Sequence, residues 1–265
     1  MRDIKDSEKR FLSKSLSIII CDNSYLTILF YLICLSRQIV PILLEKGIKT
    51  ARLENIINKF KPTYVLTPRN SLDAFTHYNK SDFLNLGNLF TREDKENYVV
   101  NPDIGLLLST SGSTGSSKLA MISKDGLLKN TEKISKYLEL TTLDRTITNL
   151  PFSYAYGLSI INTHLFVGGS ISITNKSILS KEFLNLYAFT KPTNFNGVPY
   201  TFELIEKLKL KDKIFLGLRF ITQAGGKIND VLLKDIIKDS KKYDFKIFVM
   251  YGQTEASPRM AYLNP

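Results

Sequence analysis

Residues 108–118 read Leu-Ser-Thr-Ser-Gly-Ser-Thr-Gly-Ser-Ser-Lys, and nine of these eleven are Ser, Thr or Gly. Their chemistry is that of a phosphate cradle. Glycines let backbone N–H groups turn toward an anion, hydroxyls add donors, and Lys118 supplies a point charge. The spacing Gly112-x-x-Gly115-x-x-Lys118 departs from the P-loop, which needs Gly-x-x-x-x-Gly-Lys followed by Ser or Thr and leads into a helix. Here the apolar run Ile104–Leu108 precedes the loop and Leu119–Ile122 follows it, so the expected setting is strand, loop, strand. The other reading, a flexible Ser/Gly linker, sits poorly with two framing apolar runs and one closing lysine.

Two later loops add to this chemistry. Ala224-Gly225-Gly226-Lys227 offers close backbone approach, because glycine has no Cβ to obstruct a flat ligand. Tyr251-Gly252-Gln253-Thr254-Glu255 places an aromatic ring, a hydroxyl and a carboxylate within five residues. Each is weak alone, since Gly-Gly is often a plain turn. Together with the cradle they describe a site for a base, phosphates and a metal.

The elements that must position these loops alternate along the chain. Leu16–Cys21 reads as a buried strand, Asp22-Asn23-Ser24 offers caps, and Tyr25–Leu35 reads as a buried helix. Ile39–Leu44 is a second strand, with Pro41 arguing against a central position. Ala51–Phe60 puts Leu53, Ile56, Ile57 and Phe60 on one helical face, and Tyr64–Thr67 is a third strand. This βαβαβ order predicts an α/β fold of mostly parallel sheets flanked by helices. Residues 68–103 are polar and weakly patterned, so they are read as a long excursion or a subdomain boundary. Beyond the cradle, Asp125–Leu138, Leu158–Val167, Thr201–Leu208 and Asn229–Lys241 read as helices. Arg145–Thr148, Ser170–Thr174, Asn194–Asn196, Phe220–Gln223 and Phe245–Met250 read as strands. In such open sheets ligands collect beyond the strand C-termini, where the Gly-Gly and Tyr-Gly loops fall.

Composition limits the alternatives. With 265 residues, 43% hydrophobic and 23% charged, the chain has an ordinary globular balance. No apolar run reaches the length of a bilayer span, and the charged N-terminus lacks a secretory h-region. Two cysteines, Cys21 and Cys34, are too few for a disulfide framework and point to a reducing cytoplasm. The net charge of +11 raises the question of nucleic acid. It is mostly lysine spread along the chain, with no helix-turn-helix, zinc-finger or RNP-like pattern beside it, so it is read chiefly as a solvated surface.

Three ordered blocks, Ser109–Lys118, Asn149–Gly157 and Tyr251–Glu255, resemble the signatures of the acyl-adenylate-forming superfamily. Its members are acyl- and aryl-CoA ligases, nonribosomal peptide adenylation domains and luciferases. Softer matches lie at Asn196–Pro199 and Ala224–Gly226, and Ile19–Ser24 with Ile39–Pro41 is similar to the early part of these enzymes. The resemblance runs from about Ser17 to the C-terminus.

The resemblance implies ATP-dependent activation of a carboxylic acid as an acyl-adenylate, en route to a thioester on CoA or a phosphopantetheine carrier. Thr110, Ser111, Gly112, Ser113, Thr114, Gly115 and Lys118 would hold the β- and γ-phosphates. Tyr251 would lie against adenine in a slot shaped by Gly225 and Gly226. Thr254 would contact the α-phosphate and Glu255 would hold Mg²⁺, a hard cation suited to oxygen ligands. Tyr154 would gate the acyl group, with Tyr156, Val198 and Gly252 as pocket neighbours; core packing is the competing reading for both tyrosines. His164, within an apolar helix, is expected to be structural, and a histidine-based triad is not expected.

Members of the superfamily continue past the Tyr-Gly-x-Thr-Glu block to a ribose-binding aspartate, a hinge and a small mobile domain with a lysine used in adenylation. On the resemblance, residues 1–265 are expected to be an incomplete N-terminal adenylation domain without the small C-terminal domain. Such a chain alone would be inactive or severely impaired, with a carrier protein or a second polypeptide as partner. Two other expectations compete: a non-catalytic remnant that binds nucleotide, and a basic nucleic-acid-binding protein.

Overall fold

The run Ser17-Ile-Ile-Ile-Cys21 is apolar on both sides of the pleat, which suits a strand covered on both faces. In the computed structural model, which describes residues 11–69, 75–93, 100–109, 118–256 and 258–265, it lies within β1 (Leu16–Cys21). The chain divides into two units, residues 1–127 with 151–153, and residues 128–150 with 154–265.

The first unit holds a seven-stranded sheet in the order β4-β5-β3-β1-β2-β6-β7. Its centre is parallel: β3 (Tyr64–Pro68), β1, β2 (Val40–Glu45) and β6 (Ile104–Ser109). Helix α1 (Tyr25–Ser36) is started by Ser24, whose Oγ accepts from the Thr27 N–H at 3.3 Å. Helix α2 (Thr50–Phe60) buries Leu53, Ile56 and Ile57, the stripe its spacing predicts. These pack with Ile18, Ile20, Ile42, Leu44 and Val65. Each fully buried side chain of this size contributes about 1.5–3 kcal/mol.

Pro41 lies in a central strand, contrary to the sequence expectation. The Val40 N–H donates to Ser15 on the β1 side, so position 41 turns its nitrogen toward β6. The ladder with β6 starts only at Ile42↔Leu107, one residue later, and the missing N–H leaves no gap in it.

The weakly patterned stretch 68–103 contains an antiparallel hairpin, β4 (Tyr78–Phe83) and β5 (Gly87–Arg92), added to the β3 edge. Leu84 and Asn85 both have positive φ in its turn, and the Asp82 carboxylate accepts from the Asn85 N–H at 2.7 Å. A leucine in that conformation carries no turn signal, and β4 is largely exposed, which explains why no pattern announces the hairpin. At the other edge β7 (Leu119–Ser123) runs antiparallel to β6.

The second unit begins within α3 (Lys124–Tyr137). It contains a parallel pair, β8 (Arg145–Ile147) with β9 (Ser170–Ser172), and a four-stranded sheet ordered β10-β11-β12-β13. There β10 (Asn194–Gly197), β11 (Phe220–Gln223) and β12 (Lys246–Tyr251) are parallel, and β13 (Ala261–Leu263) returns antiparallel. The helices are α4 (Ala155–Val167), α5 (Lys181–Thr190), α6 (Pro199–Lys207), α7 (Lys211–Ile214) and α8 (Asp230–Tyr243). One core joins Phe183, Phe195, Phe202, Ile221 and Ile236, and another joins Ile134, Tyr156, Phe220, Phe248 and Met250.

Candidate functional site

In the first unit the expected strand–loop–strand frame is present. Strand β6 ends at Ser109, and β7 starts at Leu119 directly after Lys118, which is exposed. The Ser109 Oγ accepts from Arg52 Nη2 at 2.7 Å, which anchors the entry to the loop. Thr110, Ser111, Gly112, Ser113, Thr114 and Gly115 lie outside the described residues.

In the second unit three parallel strands bring their C-terminal ends to the same side of the sheet. Val198 follows β10, Ala224-Gly225-Gly226 follows β11, and Gly252–Glu255 follows β12. The Gln223 side chain donates to the Gly226 carbonyl at 2.9 Å and to Ala224 O at 3.3 Å, tying the Gly-Gly loop to its strand. Gly225 has φ +78°, and a Cβ there would lie 2.3 Å from the Tyr154 hydroxyl and 3.0 Å from Val198 Cγ1. The glycine is required twice over, by its backbone angle and by the ring beside it.

Tyr154 stands at the N-cap of α4, with burial raising its pKa, and its ring meets the edge of Tyr156 at 6.3 Å. Tyr154, Val198 and Gly225 are thus brought together as one cluster, with Tyr156 behind it. Tyr156 is fully buried, and its hydroxyl donates to Thr222 O at 2.9 Å and lies 2.6 Å from Thr222 Oγ1.

A buried network continues from there. Thr222 Oγ1 donates to Asn196 Oδ1, and Asn196 Nδ2 donates to Asn194 Oδ1 at 3.0 Å and Thr146 Oγ1 at 3.2 Å. Asn194 Nδ2 lies 3.0 Å from His164 Nε2, and His164 Nδ1 lies 2.8 Å from Ile160 O. A carbonyl can only accept, so the proton sits on Nδ1 and Nε2 accepts from the Asn194 amide. Burial first, and then the charge of Arg259, lower the His164 pKa from 6.5 to about 4. His164 is therefore a neutral structural group, as the sequence predicts.

The Tyr-Gly-x-Thr-Glu block shows a sharper division. Tyr251 ends β12 as a 64% exposed residue, and Thr254 and Glu255 lie in the 3₁₀ turn Thr254–Ala256, with Glu255 exposed. Neither side chain has a hydrogen bond or ion pair among the described residues, so both are free to meet a ligand. Gly252 permits a close crossing: a Cβ there would lie 2.3 Å from the Arg259 backbone N. No group of three or more His, Cys, Asp or Glu side chains is gathered for a metal among the described residues. A divalent ion at Glu255 would take its remaining oxygens from the phosphates it accompanies, as Mg²⁺ commonly does.

Arg259 is the residue sequence reasoning missed. It is 6% exposed, and its guanidinium lies over the Tyr156 ring at 5.0 Å. The available signal was an arginine four residues beyond Glu255, in a segment that returns toward the sheet as β13.

The AMP-binding enzyme family model matches residues 15–265, so the chain belongs to that family. It is 29% identical over 171 residues to the acyl-CoA ligase sidI of Aspergillus fumigatus, a match covering 63% of this chain and 28% of that protein. It is 27% identical over 236 residues to the putative acyl-CoA synthetase YngI of Bacillus subtilis, covering 83% of this chain and 40% of that one. The matched regions thus span less than half of these relatives. The fold is that of O-succinylbenzoate coenzyme A synthetase (MenE) from Bacillus subtilis, solved in complex with AMP. Its TM-score is 0.77 at 17% identity, covering 99% of this chain and 67% of that one. No helix among the described residues is long and apolar enough to cross a membrane.

Proposed function

We propose that this chain carries the ATP-binding part of an enzyme that activates a carboxylic acid as its acyl-adenylate, for transfer to a thiol on CoA or a phosphopantetheine carrier. The observation that carries this reading is the gathering of Tyr154, Val198, Gly225 and the Tyr251–Glu255 turn at the C-terminal ends of β10, β11 and β12, in a chain of the AMP-binding family.

In this reading Thr110–Gly115 and Lys118 grip the β- and γ-phosphates, and Tyr251 covers adenine beside Gly225 and Gly226. Thr254 donates its hydroxyl to the α-phosphate, and Glu255 supplies an oxygen to Mg²⁺. Tyr154 sits at the mouth of the acyl pocket. The acid's carboxylate attacks the α-phosphorus and pyrophosphate leaves. Charge builds on phosphoryl oxygens, so these side chains act by position and electrostatic neutralisation. The ion, when bound, spreads that charge.

The test is calorimetric titration of ATP–Mg²⁺ into the chain. Lys118→Ala should weaken binding about tenfold, the loss of one charge-assisted contact. Carboxylate-dependent ATP–pyrophosphate exchange should appear when a family C-terminal domain is supplied in trans. Binding without exchange across a broad acid panel would favour the nucleotide-binding remnant. No ATP binding, with salt-sensitive RNA or DNA binding instead, would overturn both.

A further inference from the structure

Arg259 is more than nine-tenths buried, yet its Nε, Nη1 and Nη2 have no hydrogen-bond partner among the described residues. A guanidinium cannot relieve its burial by losing a proton, so a cation in that position needs an anion. The Tyr156 face at 5.0 Å offsets part of the cost and supplies no negative charge. The neighbouring groups do not supply one either. Tyr137 donates its hydroxyl to Met250 Sδ at 3.1 Å, and His164 is neutral. Among the described residues the two buried carboxylates of this unit are engaged elsewhere, Asp239 by Lys211 at 2.9 Å, and Asp144 by Arg219, by the Thr141 N–H at 2.8 Å and by Thr193 Oγ1 at 2.7 Å.

We propose that Arg259 is the receptor for a second carboxylate on the substrate, so that the acid activated is a dicarboxylic acid. This rests on the adenylation reading above and adds its substrate class. The geometry supports it in two ways. The planar fork of a guanidinium matches a carboxylate with two parallel hydrogen bonds, and here no fork nitrogen makes a well-formed hydrogen bond among the described residues, its polar neighbour being the neutral Tyr137 hydroxyl. The backbone of Arg259 passes against Gly252, at the root of the Thr254–Glu255 turn, while its guanidinium lies inside, over buried Tyr156. The reacting carboxylate belongs at the exposed turn. A guanidinium held in the interior is therefore assigned the opposite end of the same molecule. Arg259 acts here as a specificity determinant, with no part in bond making.

The test uses the whole chain and two acyl-sulfamoyl-adenosines that differ only at the distal end, one a carboxylate and the other a methyl group. Wild type should bind the carboxylate form about tenfold more tightly or better, the size expected of a desolvated bidentate ion pair. Arg259→Met should lose that preference, keep its affinity for the methyl form, and melt at the same or a higher temperature, because an unpaired buried cation has been replaced by an apolar chain. Equal affinities in wild type would overturn the proposal while leaving adenylation standing. A lower melting temperature in Arg259→Met, with both ligands weakened alike, would overturn it in favour of a structural cation on Tyr156. If neither analogue nor AMP binds, the adenylation reading fails. Arg259 is then judged by its ¹⁵Nε resonance, identified by its loss in Arg259→Met. A shift with glutarate and none with butyrate supports the carboxylate receptor, and no shift with either overturns it.

Discussion

The buried strands of the seven-stranded sheet carry the aliphatic set Ile18, Ile19, Ile42, Leu43 and Val65, with Ser17 and Thr67 as small buried hydroxyls beside them, whereas those of the four-stranded sheet carry the larger polar set Asn194, Asn196, Thr222 and Gln223. The first set needs nothing but packing, and such strands can be repacked with little consequence beyond stability. The second set must spend every donor and acceptor on a neighbour, or the sheet would not form. Those bonds fix side chains in one orientation near the strand ends where ligands collect. The Gln223 amide pins the Gly-Gly loop, and Thr222 holds the Tyr156 ring on which Arg259 rests. One sheet is a scaffold. The other is a scaffold that also aims side chains.

The largest effect expected from this contrast lies in the scaffold. Phe30 is fully buried and meets Phe11 at 5.3 Å and Phe83 at 5.6 Å, edge to face. Phe30→Ala should cost about 4 kcal/mol of unfolding free energy, read from the denaturant midpoint. A loss under about 1 kcal/mol would show that this region is not packed as described.

The next effect tests the polar side through pH. His164 has its pKa depressed from 6.5 to about 4 in the folded chain. As pH falls, the unfolded chain takes up its proton first. The stability linked to His164 is complete above pH 6.5 and is lost as pH falls from there to about 4, by about 3 kcal/mol. Replacing His164 with Gln, which cannot titrate, should flatten that part of the stability–pH curve in urea melts. An unchanged slope would mean that His164 is not the group responsible.

The smallest effect separates steric demand from backbone demand. Gly225→Ala should cost about 2 kcal/mol through its positive φ and the crowding of Tyr154. Removing the hydroxyl with Tyr154→Phe should recover part of that cost in a double-mutant cycle, since the next ring atom, Cζ, lies at 3.4 Å. Strict additivity of the two changes would mean that Tyr154 does not press on Gly225.

Much of this was legible in the sequence because it is local. Hydrophobic period, the Ser24 cap and the framing of the Ser/Thr/Gly loop depend on residues a few positions apart, and each expected helix and strand appears within a few residues of its place. Tyr154, Gly225 and Tyr251–Glu255, which frame the proposed site, stand in recognisable sequence blocks. The exceptions are instructive. Pro41 argued against a central strand because a sequence does not show where a neighbour's ladder begins. The hairpin at Tyr78–Arg92 was illegible because Leu84 takes a left-handed angle that its type does not favour.

The sequence by itself therefore determined the alternation of elements, the order of the signature blocks and the residue types available to phosphates and metal. Tertiary structure alone decided which polar groups are spent and which are spare. Asn194, His164 and Thr222 spend their polar atoms on one another's neighbourhoods, while the three nitrogens of Arg259 are left unpaired among the described residues. Burial and pairing are sums over atoms brought together from Tyr137, Tyr156 and Gly252, more than a hundred residues apart at the extremes. No local pattern around position 259 contains that sum, and the fold computes it only once the second sheet has closed around the ring of Tyr156.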